Sequence, residues 1–397
     1  MERAFMEINN IKLQTLEISN FRNIEHLKIS FESGRSAIYG KNAIGKTNVL
    51  EAISWLLTGK SLSGSSDEQA NKPHNKPNAC VSVKAYFTRG DHDGLIYEKQ
   101  YQEVWEVSRG NVETRTLKGH TTKYFINDVE IPLKKDAEIL LNEYFAFNGD
   151  YAMLINPLWV EISDYKVLRE IVIKLAGDID NKALLESSPT LQSHIQRELE
   201  EVGGDVPLLV KNLATRLKTA KNDISNTKLI MNYITSAPLI APGVKERLVR
   251  ELKEKQDAHI QSVSELEVKQ VALEQFIALK YQKLNENIAQ TFGEVKFNLI
   301  ESNIKEGSFK EVCYPYIIGK QTKFEKGSTS EKVITGIAVI EALKRKGNLP
   351  DLPIIFDEGE ALDSESIATK IKTNAQVITA KVSDLFHKIE VGTLREN

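Results

Sequence analysis

Apolar and polar residues alternate over residues 12–18 (KLQTLEI) and 24–31 (IEHLKISF), the period of half-buried strands. A third strand-like run, residues 36–39, leads into a glycine-bearing segment. From residue 47 to 57 the period becomes helical, with Val49, Leu50, Ile53, Leu56 and Leu57 on one side. Residues 59–77, rich in Ser, Gly, Asn and Lys, read as a loop. Strand patterning then returns at residues 81–87, 95–101, 104–107, 113–118 and 123–126, predicting an antiparallel meander beside the third strand, with residues 119–122 (GHTT) as a polar loop. Residues 137–147 and 160–175 are predicted helices flanking a loop at 148–157.

The middle of the chain changes character. Val210, Leu213, Leu217, Ala220, Ile224, Met231 and Ile234 recur at steps of three, four and seven, the seam of a coiled coil, with Thr227 off the pattern. Residues 238–243 (PLIAPG) break the helix twice. Residues 244–292 resume it, with Val263, Leu266, Leu273, Ile277, Leu284 and Ile288 on a similar stripe. The pattern predicts an antiparallel helical hairpin reaching roughly 40 Å. Its first arm carries Lys211, Arg216, Lys218, Lys221 and Lys228 against the single acid Asp223. Such a stripe suits a phosphate backbone, or is a solvated coiled-coil face. Strands are predicted again at 295–300, 313–317 and 320–323, then a helix at 328–346, a strand at 352–356, a final central strand at 376–382 and an edge strand at 388–391. The pattern therefore predicts an N-terminal lobe (1–178), a helical hairpin (179–292) and a C-terminal lobe (293–397).

Two of these segments carry chemistry. Gly40-Lys41-Asn42-Ala43-Ile44-Gly45-Lys46-Thr47 fits the P-loop pattern G-x-x-x-x-G-K-[ST], between a strand and a helix as the motif requires. Gly40 and Gly45 permit the tight turn that aims successive N–H groups at phosphate oxygens. Lys46 can reach the β- and γ-phosphates, the Thr47 hydroxyl can ligate Mg²⁺, and the helix N-terminus would add partial positive charge. The second segment, LPIIFDE, is an apolar strand delivering Asp357 and Glu358 to its C-terminal edge, where open α/β sheets bind ligands. Asp357 would hold Mg²⁺ and Glu358 would polarise the attacking water. Ser328 and Glu331 form an S-x-x-E capping box at a helix start.

Composition narrows the class. A hydrophobic content of 41% and a charged content of 27% describe an ordinary soluble protein. A net charge of −3 gives no global nucleic-acid signature, so any such contact needs a local basic surface. Cys80 and Cys313 are the only cysteines, which excludes a disulfide framework and a cysteine-based zinc site. No apolar run approaches the ~18 residues of a membrane span, so no membrane association and a cytoplasmic location are expected.

The paired motifs at the two ends, around a helical hairpin, resemble the SMC/RecF/SbcC class of ABC-type ATPases. LEISNFRNI (residues 16–24) is similar to that class's opening strand and turn. GSTSEKVITGIAVIEAL (327–343) resembles its signature helix, and IIFDEGEALD its Walker B strand and D-loop. The meander with GHTTKYFINDVEIP and the Asn156-Pro157 loop look most like short phage and prophage members. The resemblance implies a P-loop NTPase fold of α/β class, a mixed sheet plus antiparallel meander, with the coiled coil inserted. It further implies two heads closing around ATP and Mg²⁺. Gly40, Asn42, Ala43, Ile44, Gly45, Lys46, Thr47 and Asn48 of one head would then face Ser328, Glu331 and the D-loop acid Asp363 of the other. Lys46, Asp357 and Glu358 would be catalytic, with Thr47 and Asp357 on the metal. A homodimer, a DNA partner, a separate nuclease subunit and a nucleoid-associated location in a bacterial host follow by the same implication, in recombination, repair or phage genome processing. Thr329 and Ser330 replace the two signature glycines, Ala43 replaces a P-loop glycine, and the spacing after Glu358 is one residue short, leaving Glu360 as an alternative base. Asn148 or Asn156 stands where the class carries a glutamine, and its switch histidine is absent. Slow turnover is expected, below about 10 s⁻¹. Competing classes are a non-hydrolysing nucleotide-dependent clamp and an ATPase licensing a separate nuclease or defence effector.

Overall fold

A computed structural model describes residues 10–73, 76, 79–90, 92–108, 114–303, 308–362, 366 and 369–394. The chain opens with β1 (Ile11–Phe21), β2 (Ile24–Ser30) and β3 (Arg35–Gly40), then helix α1 (Lys46–Thr58). The meander follows as β4 (Val81–Arg89), β5 (His92–Ser108), β6 (Thr114–Ile126) and β7 (Val129–Ile131). Helices α2 (Lys134–Phe145), α3 (Ala152–Ile155), α4 (Trp159–Ile162), α5 (Tyr165–Ala176), α6 (Asn181–Glu186) and α7 (Pro189–Glu201) lead to the long pair α8 (Val206–Ser236) and α9 (Pro242–Phe292). The chain continues through β8 (Phe297–Asn303), β9 (Ser308–Pro315), α10 (Thr329–Gly347), β10 (Ile354–Phe356), β11 (Val377–Val382) and β12 (Glu390–Thr393).

Two sheets enclose the P-loop helix. One is antiparallel, in the order β2-β1-β4-β5-β6-β7, and the other runs β10-β11-β3-β12. In the second, β10, β11 and β3 are parallel and β12 is antiparallel to β3. The meander thus forms its own sheet rather than extending that of the P-loop strand. α1 packs against β1 and β4 on one side and β3, β10 and β11 on the other. That two-sided burial explains why Val49, Leu50, Ile53, Trp55 and Leu56 are all inaccessible. The buried β10 and β11 read as near-continuous apolar runs because both their faces are covered. In β1 the buried set switches from Ile11 and Leu13 to Leu16 and Ile18, because the register with β4 shifts between Leu13 and Thr15.

Gln376, fully buried at the head of β11, ties the two sheets together. Its amide donates to the Leu13 and Glu32 carbonyls at 2.9 and 2.7 Å and accepts from the Leu13 N–H at 2.8 Å.

By internal contact the chain falls into two compact units. The first comprises Met1–Leu175, Ile288–Leu299 and Val312–Asn397, and the second Ala176–Asn287 and Ile300–Glu311. The core of the second joins Leu184, Leu191 and Ile195 to Leu209 and Leu213 of α8 and Leu266, Leu273 and Phe276 of α9. Lys221 pairs with Glu267 across the two arms at 2.9 Å.

Several expectations need correcting. Residues 119–122 are strand, because Gly119, His120, Thr121 and Thr122 pair with Val104, Glu103, Gln102 and Tyr101 of β5. Residues 320–323 form a turn closed by a bridge between Tyr316 and Lys323. The helix expected at 160–175 breaks between α4 and α5, where the Asp164 carboxylate accepts from Lys166 N–H. The loop at 148–157 contains the turn of α3. Thr227 belongs to the seam: it is buried, and its hydroxyl donates to the Asp223 carbonyl at 2.8 Å.

Candidate functional site

β3 ends at Gly40 and the loop re-enters helix at Lys46. Gly40 stays small because Ile44 leans over it: a Cβ there would lie 2.9 Å from Ile44 Cγ2. Gly45 sits at φ +109°, in left-handed backbone that favours glycine. Ala43, where the family pattern has glycine, is held at φ +64°. The Lys46 ammonium folds over the loop and donates to the Lys41 carbonyl at 2.9 Å.

The decisive contact crosses 310 residues of sequence. Thr47 Oγ1 donates to Asp357 Oδ2 at 2.6 Å. The other oxygen, Asp357 Oδ1, accepts from the Glu358 N–H at 2.9 Å. One carboxylate is therefore aimed by both motifs. β10 delivers it, running parallel to β11, which runs parallel to β3, so all three strands end on one edge.

A cleft of about 290 Å³ opens there. Its walls are Asn42, Ala43, Gly45, Lys46, Thr47 and Asn48 from the P-loop side, and Asp357, Glu358, Glu360 and Val382 opposite, with Asn23 at the rim. The two acids after Asp357 differ in their engagement. Glu360 accepts from the backbone N–H of Val382. Glu358 stands exposed on strained left-handed backbone at φ +58°. Hydroxyl and carboxylate oxygens so close together form the hard donor set that Mg²⁺ prefers, so Thr47 and Asp357 fit that ion.

Ser328 and Glu331 are not part of this cleft's wall. They close a capping box at the start of α10: Ser328 N–H donates to Glu331 Oε2 at 2.9 Å, and Glu331 N–H to Ser328 Oγ at 3.5 Å. Hydrogen bonding from Lys320, and then from Ser328, pulls the Glu331 carboxyl down to about 2. Asp363 lies outside the described residues. Asn156 is buried, its amide donating to the Leu62 carbonyl at 2.8 Å and its oxygen accepting from Leu158 N–H, which leaves it a structural role. Asn148 accepts from Asn142, in a separate recess bounded by Tyr97 and Lys99.

The turn of residues 19–23 has a role that its sequence pattern alone does not assign. Asn20 and Arg22 there adopt left-handed backbone, at φ +53° and +51°. The turn places Asn23 against Ala43 and Asn48 of the P-loop. Two Asn residues flanking Arg in a tight turn are the signal that the sequence does carry.

A family model described as an AAA domain matches residues 15–306. The chain is similar to the DNA replication and repair protein RecF of Thermoanaerobacter sp. (strain X514), with 26% identity over 261 residues, covering 62% of this chain and 68% of that protein. It is 29% identical over 139 residues to the chromosome partition protein Smc of Lactiplantibacillus plantarum, covering 33% of this chain and 11% of that one. Among solved structures, the recombination mediator protein RecF with ATP, in the RecFOR pathway, aligns over 96% of both chains at 17% identity with a TM-score of 0.41.

Proposed function

Because the chain belongs to the AAA domain family matched over residues 15–306, and within it to the SMC/RecF type, we propose that it binds and hydrolyses ATP and couples this to DNA in recombination or repair. The hydrogen bond between Thr47 and Asp357 carries the reading. It joins the two halves of a phosphate site supplied by distant parts of the chain.

In this reading Lys46 and the N-terminus of α1 receive the β- and γ-phosphates. Thr47 and Asp357 would hold Mg²⁺, which would supply charge neutralisation at the phosphates. Glu358 orients and deprotonates the attacking water. Glu358 is preferred over Glu360 because the Glu360 carboxylate is already committed to the Val382 N–H. A second copy closes the site with Ser328, Glu331 and Asp363, giving an ATP-dependent homodimer. An N-terminal helix end at Ser328 suits the γ-phosphate, although Thr329 and Ser330 approach less closely than glycines would. The place of action in this reading is DNA inside a bacterial cell, as the RecF and Smc relatives suggest. No helix among the described residues is long and apolar enough to cross a membrane.

Phosphate release from the wild type, Lys46→Ala and Glu358→Gln separates hydrolysis from mere binding. Lys46→Ala is expected to lose nucleotide affinity. Glu358→Gln should retain affinity while turnover falls by about 10²-fold or more, the scale of a lost general base. Equal release from wild type and Glu358→Gln would leave ATP as a structural ligand of a non-hydrolysing clamp.

A further inference from the structure

We propose that Asn23 is a positioning residue for the P-loop, holding the Ala43 carbonyl and so offsetting the strain of an alanine in left-handed backbone. The inference rests on the nucleotide-binding reading and deepens it. At φ +64° Ala43 occupies backbone that residues with a Cβ rarely adopt. Asn23 Nδ2 donates to the Ala43 carbonyl at 3.2 Å. The same side chain fills the space beside Gly45, where a Cβ would come within 2.7 Å of Asn23 Oδ1. Asn23 therefore touches the loop at both of its left-handed residues past Gly40.

The direction of this clamp is fixed by a relay. A guanidinium can only donate. Arg22 Nη1, 3.7 Å from Glu51 Oε1, donates to Asn48 Oδ1 at 3.1 Å. Asn48 must then turn its NH₂ away, and it donates to Asn23 Oδ1 at 2.7 Å. Asn23 in turn presents its own NH₂ to a carbonyl, and that carbonyl is Ala43's. With this oxygen committed to Asn23, the amide hydrogens of the loop remain for an anion.

A double-mutant cycle on the full chain tests the clamp with two readouts. In thermal unfolding without nucleotide, Asn23→Ala is expected to lower Tm by about 2–4 °C in the wild-type background. The same change should cost less than half as much in the Ala43→Gly background, where glycine needs no support. In binding of a fluorescent ATP analogue, Asn23→Ala is expected to weaken affinity about tenfold, and adding Ala43→Gly to restore most of it. Equal Tm losses in the two backgrounds overturn the clamp, whatever the affinities. A wild type that binds no ATP analogue overturns the nucleotide reading instead, while the Tm cycle still decides the clamp.

Discussion

Glu331 faces solvent along part of its side chain yet is engaged from two directions, by Ser328 and by Lys320. Its carboxyl sits at about 2, below the ordinary 4.5. A depressed acid stabilises the fold above its unfolded value and loses that contribution as pH falls towards its folded one. The window is therefore pH 4.5 down to about 2. The Tm difference between wild type and Glu331→Gln, present at pH 7, should shrink across that window, and more weakly in high salt. A difference that persists unchanged at pH 2 would show that the charge contributes nothing. The capping box was legible in the sequence because its partners are three residues apart. Asn23 was not, since Ala43 and Asn48 lie 20 and 25 residues away. Gln376, whose partner Leu13 is 363 residues distant, left no local trace at all.

Element spans were readable wherever one face is buried, because period reports burial directly. What failed was continuity. β5 and β6 run on through polar residues because each supplies the other's hydrogen bonds, which no local pattern records. Packing between elements was equally hidden. Gly336 in α10 lies so close to the Asn156-Pro157 segment that a Cβ would fall 1.9 Å from the Pro157 carbonyl oxygen. On an open helix face, glycine to alanine gains about 1 kcal/mol. Here Gly336→Ala must instead push the segment away, and should destabilise by about 1–3 kcal/mol. Denaturant midpoints check this: an unchanged or higher midpoint for Gly336→Ala would mean that α10 and the segment are not in contact.

For the whole molecule, the P-loop and the Asp-Glu strand showed from sequence that both chain ends build one site, and Thr47–Asp357 is that junction. The helical hairpin was also legible, but its separate core with α6 and α7 was not. All five cations on α8 are exposed, and Lys221 among them pairs with Glu267; the other four are Lys211, Arg216, Lys218 and Lys228. If this stripe carries the proposed DNA contact, changing those four to Gln should flatten the dependence of log K on log salt by about 0.9 for each phosphate no longer neutralised. An unchanged slope would move DNA elsewhere on the protein. The arrangement of the smaller sheet also has a consequence for biosynthesis. Both neighbours of β3 come from residues 377–393, so the strand leaves the ribosome with neither edge covered. At about 5–20 residues per second it waits on the order of tens of seconds for its partners. Chains halted during translation would expose that strand, and a nascent-chain holdase is the factor whose loss such a topology should make costly.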